Sequence, residues 1–141
     1  MKKKFSKAWK SSKQPRKQRK YLANAPLHIK KKIMSINLSE ELRKKYSKRN
    51  IVGKKGDTVK VMRGKFKNKK GKIVEIKIKM SKIFVEGVQV KKQDGSKVNV
   101  KLQPSNLQLI DLDLTDRKRA KKLEIKEIPK EKIENKKGDK K

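Results

Sequence analysis

Apolar and polar residues alternate through the middle of this chain. Asp57-Thr58-Val59-Lys60-Val61-Met62-Arg63 has a period of two, as does Lys72-Ile73-Val74-Glu75-Ile76-Lys77-Ile78, and that period predicts strands. Ile83-Phe84-Val85 and Val88-Gln89-Val90 follow as shorter runs. Asp94-Gly95 separates the latter from Val98, Val100 and Leu102. This is a strong hairpin signal, because both positions of a two-residue turn favour positive φ. Pro104-Ser105-Asn106 predicts a tight turn and Leu107-Gln108-Leu109-Ile110 a last short strand. About five short strands with tight turns predict a mostly β fold, a small barrel over residues 54–110. That stretch holds 20 apolar residues in 57, the only density able to form a core, and it lies at the small end of what folds alone.

The flanks have other patterns. Residues 21–53 form a bridging segment. Within it Ser39 is a good N-cap for a short helix over 39–47: Glu40 and Glu41 sit where the helix dipole favours anions, and Arg43 to Lys45 sit near the other end. Leu42 and Tyr46, four apart, are placed to seat that helix on the barrel. His28-Ile29-Lys30-Lys31-Lys32-Ile33-Met34 sets two isoleucines at the same spacing with three lysines between, which predicts a short helical turn with one apolar and one basic face. Residues 1–20 carry 10 basic groups, no acid and four apolar residues. They predict an arm that stays disordered until it meets its partner, because so little apolar surface cannot offset ordering entropy. Residues 111–141 hold 8 of the 14 acids against 12 basic residues. They predict a short helix around Asp116–Lys122 and then a solvated tail of mixed charge.

Charge narrows the function. With 46 Lys+Arg against 14 Asp+Glu, the net charge is +32 over 141 residues. A charge of that size opposes compaction and makes a polyanion the default partner. No apolar run approaches the length of a membrane span or follows the basic N-terminus as a signal peptide would require. There is no cysteine and a single histidine, His28, which excludes disulfides, a thiol nucleophile and a Cys- or His-rich metal site.

The first functional constellation is the loop between the two longest strands. Gly64 and Gly71 bracket Lys65, Phe66, Lys67, Asn68, Lys69 and Lys70, with Arg63 just before the loop and Lys72 just after it. Val59, Val61 and Ile73 point inward, so the lysines are forced outward to solvent or phosphate. Gly56, Gly64, Asn68, Gly71 and Gly95 are the expected structural turn positions, where glycine permits positive φ or close approach of a backbone.

The run Gly56-Asp57-x-Val59-x-Val61-x-x-Gly64-x-Phe66-Lys67-x-x-x-Gly71-x-Ile73-x-x-Ile76 resembles a KOW motif. That resemblance implies part of an SH3-like barrel, as found in ribosomal proteins and in transcription elongation factors. The flanks Asn24-Ala25-Pro26-Leu27-His28-Ile29-Lys30-Lys31-Lys32-Ile33-Met34-Ser35 and Leu38-Ser39-x-Glu41-Leu42-Arg43-x-Lys45-Tyr46 decide between them. Together with Gly95, Pro104-Ser105-Asn106 and Leu112-x-Leu114-x-Asp116-Arg117, they resemble the archaeal and eukaryotic form of the universal L-twenty-four family of large-subunit ribosomal proteins. The resemblance covers roughly residues 11–122. It departs at Asn68, where the family usually has glycine and where asparagine tolerates the left-handed conformation, and at Val52-Gly53, where a proline is common. It implies a structural constituent of the large (50S) subunit that binds the 5′ domain of 23S-type ribosomal RNA. It also implies an early assembly role, a place near the peptide exit tunnel and a cytoplasmic, ribosomal location.

The second constellation is the arm: Lys2, Lys3, Lys4, Lys7, Lys10, Lys13, Arg16, Lys17, Arg19 and Lys20, with Trp9 and Tyr21 among them. Such an arm can thread between RNA helices, neutralise phosphates and stack on unpaired bases. Packing on the protein's own surface is an equal alternative for the two aromatics. His28, Lys30, Lys31 and Lys32 add the bridge's contacts with RNA. With 39 lysines and 7 arginines, phosphate neutralisation and shape recognition are expected rather than base reading. Glu40, Glu41, Glu75, Glu86 and Asp57 read as caps or surface counter-charges. No catalytic, metal or cofactor site is expected. The expected partners are large-subunit RNA and neighbouring ribosomal proteins, with no membrane and no homo-oligomer. Two rivals remain, a protein-docking KOW module of transcription elongation and a DNA-compacting chromatin protein.

Overall fold

The computed structural model describes residues 5, 6, 8 and 12–123. Pro15 opens helix α1 (Pro15–Asn24) at a first-turn position, where its fixed φ suits a helix and its missing N–H costs nothing. Ala25, before Pro26, is extended at φ −61°, ψ 133°, because the proline ring disfavours helical geometry one residue upstream. Pro26 then leads into α2 (Leu27–Ile33). After strand β1 (Ser35–Leu38), the Ser39 side chain accepts from the Leu42 N–H at 3.4 Å and caps α3 (Glu40–Tyr46). Leu42 and Tyr46 pack against the core from this helix.

Strands β2 (Asn50–Val52), β3 (Thr58–Val61), β4 (Lys70–Lys77), β5 (Lys82–Val85), β6 (Gln89–Lys91), β7 (Lys97–Asn99) and β8 (Leu107–Asp111) follow, and α4 (Arg117–Leu123) closes the described chain. Six strands form one sheet in the order β2-β1-β8-β3-β4-β5, while β6 and β7 form a separate ribbon. β1 runs parallel to β8, with Asn37 opposite Gln108 and Leu38 opposite Leu109. The main sheet therefore draws strands from the bridging segment as well as from residues 54–110.

Alternation sorts the two faces of that sheet. Ile36, Leu38, Val59, Val61, Ile83 and Leu109 are fully buried and pack with Met34, Ile73, Val85, Val88, Leu107 and Leu123. Their strand neighbours face the other way. Gly71 lets β4 approach β5: a Cβ there would lie 2.5 Å from the Glu86 carbonyl oxygen.

Three expectations are corrected. The described residues are sheet-rich but not mostly β, since strand and helix take nearly equal shares, 31% and 32%; residues 15–24 are helical where the sequence predicts an arm, and 27–33 are helical as the isoleucine spacing predicts. Residues 54–111 hold six strands, β3 to β8, close to the five expected, and β1 and β2 add two more among the described residues; the barrel is not closed. β1 and β2 extend the sheet beyond β8, and β5 meets the returning chain at a single bridge, Ile83 opposite Leu102. The hairpin turn also differs. Gly95 has φ +85°, but Asp94 is not among the non-glycine residues with positive φ. The loop has three residues, closed by Lys92 N–H to Ser96 O at 2.9 Å and Gly95 N–H to Lys92 O at 3.1 Å. The Asp94 carboxylate accepts from the Ser96 N–H at 2.9 Å and from the Ser96 hydroxyl at 2.7 Å. These local bonds satisfy an Asx-type turn in place of the two-residue form. The ribbon also runs off the core, leaving Val90 and Val98 47% and 42% exposed.

Candidate nucleic-acid interface

The β3–β4 loop is fixed by backbone bonds. Val61 N–H donates to Lys69 O at 2.9 Å, and Asn68 N–H donates to Val61 O at 2.8 Å. Within the loop, Lys67 N–H reaches Gly64 O at 3.0 Å and Lys69 N–H reaches Phe66 O at 3.1 Å. Gly64 at φ +90° and Asn68 at φ 70° take the left-handed positions this path needs. Gly71 serves the close approach to Glu86, not a positive φ, and Gly56 is at φ +90°. Phe66 anchors the loop by packing on the core, and the Lys69 ammonium lies 5.3 Å from its ring centroid. Arg63, Lys65, Lys67, Lys69, Lys70 and Lys72 are all exposed. None of them is ion-paired among the described residues.

The other expected contacts lie on the two N-terminal helices. On and just before α1, Lys13, Arg16, Lys17, Arg19 and Lys20 are exposed. Tyr21 instead meets Phe5, with ring centroids 4.9 Å apart and planes tilted by 40°, so it packs on the protein's own surface. On α2, His28, Lys31 and Lys32 are exposed. Lys30 is half-buried and donates to the Ala23 carbonyl at 3.1 Å, which ties α2 to α1. Ile29 is half-buried while Ile33 remains 41% exposed. Lys2, Lys3, Lys4, Lys7, Trp9 and Lys10 lie outside the described residues, as does the expected tail beyond residue 123.

Asp57 is no surface counter-charge. It is fully buried and receives Arg119 end-on, Nη1 to Oδ1 at 2.7 Å and Nη2 to Oδ2 at 2.8 Å. Its oxygens also accept from the Lys54 N–H at 2.7 Å and the Asp113 N–H at 3.0 Å. Arg119 Nη1 further donates to the Asp113 carbonyl at 3.1 Å. The clasp fastens α4, capped by Asp116 through the Lys118 N–H at 2.9 Å, to the start of β3. Sixty-two residues separate the partners, so no local pattern announces the pair. Nearby, hydrogen bonds from Thr115 hold the Asp113 carboxyl below its ordinary pKa, with Lys54 and Arg119 adding to the effect.

A small open sheet, a lysine-bearing loop on a locked backbone and basic helices together define a class: a protein that presents cations on a folded platform. The family comprising the eukaryotic L26 and archaeal L24-type ribosomal proteins matches over residues 12–126. The chain belongs to that family, so it is a structural, non-enzymatic ribosomal protein of the large subunit, acting in translation. Among the described residues no helix is long and apolar enough to cross a membrane.

Proposed function

We propose that this protein binds large-subunit ribosomal RNA through the β3–β4 loop and the basic faces of α1 and α2. The observation that carries the reading is the loop itself: a run of exposed cations without carboxylate partners, on a backbone locked by its own hydrogen bonds. The locked backbone needs no loop ordering on meeting phosphates, so only side-chain rotamer freedom is lost, and the lysine bias favours backbone neutralisation over base reading. In this reading the β3-β4-β5-β8 unit corresponds to the KOW-type SH3-like barrel. Residues 54–110 are the platform, 21–53 the bridge that lays a basic face on RNA, 1–20 a cationic arm and 111–141 a helix with a charged tail. The family resemblance supports contact with the 5′ domain of 23S-type RNA, early assembly and a site near the tunnel exit, in the cytoplasm.

The test is sedimentation of the native chain in a lysate gradient before and after a high-salt wash. Retention with the large subunit through the wash is expected. Release, or sedimentation with polymerase or DNA, overturns the reading in favour of a docking or chromatin module.

A further inference from the structure

The strand registers align a row of polar side chains across the sheet face that turns away from the core. Asn50 lies opposite Asn37, Asn37 opposite Gln108, Gln108 opposite Lys60, and Lys60 opposite Lys70. Leu38, Val59, Val61 and Leu109, which flank Asn37, Lys60 and Gln108, are buried on the other side; Asn50 and Lys70 are paired to that row and exposed, so all five point outward. At the usual strand spacing the row is about 19 Å long. One register step along, Lys72 stands opposite Thr58.

Two features of the row call for an anion. Like charges directly opposite each other on antiparallel strands destabilise a sheet, yet Lys60 and Lys70 are so placed. Neither is ion-paired among the described residues. Acids do border the row. Glu40 and Glu41 line the same groove beside Lys44, and Asp111 lies across from Thr58. Glu40 is paired with Lys44 at 3.4 Å, Asp111 accepts from the Leu112 N–H at 2.8 Å, and neither Asp111 nor the exposed Glu41 lies within ion-pair distance of Lys60 or Lys70. The three amides beyond the lysines carry both donors and acceptors, which suits ribose hydroxyls as well as phosphate oxygens.

We propose that the outer face of the main sheet is a second contact surface for the ribose–phosphate backbone of large-subunit ribosomal RNA. One phosphate sits between Lys60 and Lys70, and Gln108, Asn37 and Asn50 bond to the strand that continues from it. The proposal rests on the RNA-binding reading above and extends it from Lys70, at the end of the loop, to Lys60, Gln108, Asn37 and Asn50 on the sheet face. Sequence alone left Lys60 and the three amides unassigned, because only strand pairing brings them into line.

The test uses the full chain with transcribed large-subunit ribosomal RNA and reads lysine acetylation, residue by residue, by mass spectrometry. Lys60 and Lys70 should be shielded in the complex along with Lys65, Lys67 and Lys69. In a companion measurement, the double variant Lys60→Gln/Lys70→Gln should lower the magnitude of the log K against log salt slope by about 1. Shielded loop lysines with Lys60 and Lys70 acetylated at the RNA-free rate overturn the sheet-face proposal and leave the RNA-binding reading standing. Shielding at neither place overturns both. The footprint is read on the unaltered protein, so it decides even if the double variant misfolds.

Discussion

Replacing Arg119 by methionine tests how the C-terminal helix is held. The change keeps most of the side chain's apolar stem and removes the guanidinium. Asp57 then stays buried, losing two hydrogen bonds and its counter-charge while keeping the Lys54 and Asp113 N–H groups. Removing one member of a buried pair costs about 3–5 kcal/mol in general. Two effects reduce that here. The retained N–H donors continue to solvate the carboxylate, and Arg119 Nε is a buried donor without a partner among the described residues, so its loss recovers part of an existing penalty. The expected cost is therefore about 2–3 kcal/mol. Urea unfolding followed by circular dichroism gives the number. Lys118→Met, an exposed change on the same helix, is the control and should stay within about 0.5 kcal/mol. Hydrogen exchange at the Ala120 N–H, bonded to Asp116 O at 2.9 Å, should accelerate in the Arg119 variant as α4 loosens. A cost no greater than that of the control, with Ala120 still protected, would refute the claim that this ion pair fastens the helix.

Two further outcomes follow from the geometry. Gly71→Ala places a methyl 2.5 Å from the Glu86 carbonyl oxygen, so β4 and β5 must part; about 1–3 kcal/mol should be lost in the same urea assay, and an unchanged midpoint would show that the edge yields freely. Asp113 has a folded pKa below the ordinary 3.8, so its contribution is present above pH 3.8 and is lost as pH falls through the folded value. Asp113→Asn should therefore flatten stability against pH below about 4, and a profile unchanged there would contradict the assignment.

What the sequence disclosed follows the range of the interactions involved. Period-two alternation marked β3, β4 and β8, since each has one face on the core. The Ser39 cap and the left-handed Asn68 were visible because both depend on a residue and its immediate neighbours. Helix α1 was missed: its cationic composition read as an arm, although Pro15 was a usable start signal. β1 and β2 were missed because four- and three-residue strands show little periodicity and gain their partners from far along the chain. The Val90 and Val98 alternation had the right period but the wrong destination, since the ribbon leaves the core. Asp57 as a buried anion and the polar row on the sheet are products of pairing at long range. The loop cations, by contrast, are contiguous in sequence and could be read directly.

The parallel pairing of β1 with β8 also bears on the order in which the protein takes shape during synthesis. Asn37 meets its partner Gln108 only after the intervening chain has been made. At ordinary elongation rates that delay is about 4–14 s. Through that interval β1 and β2 lack the strand that joins them to the rest of the sheet, while the cations ahead of them are already synthesised. The nascent N-terminal third is thus exposed to any nearby polyanion before its own fold can compete, and a chaperone that covers residues 35–52 until Asp111 emerges would protect it at the right moment.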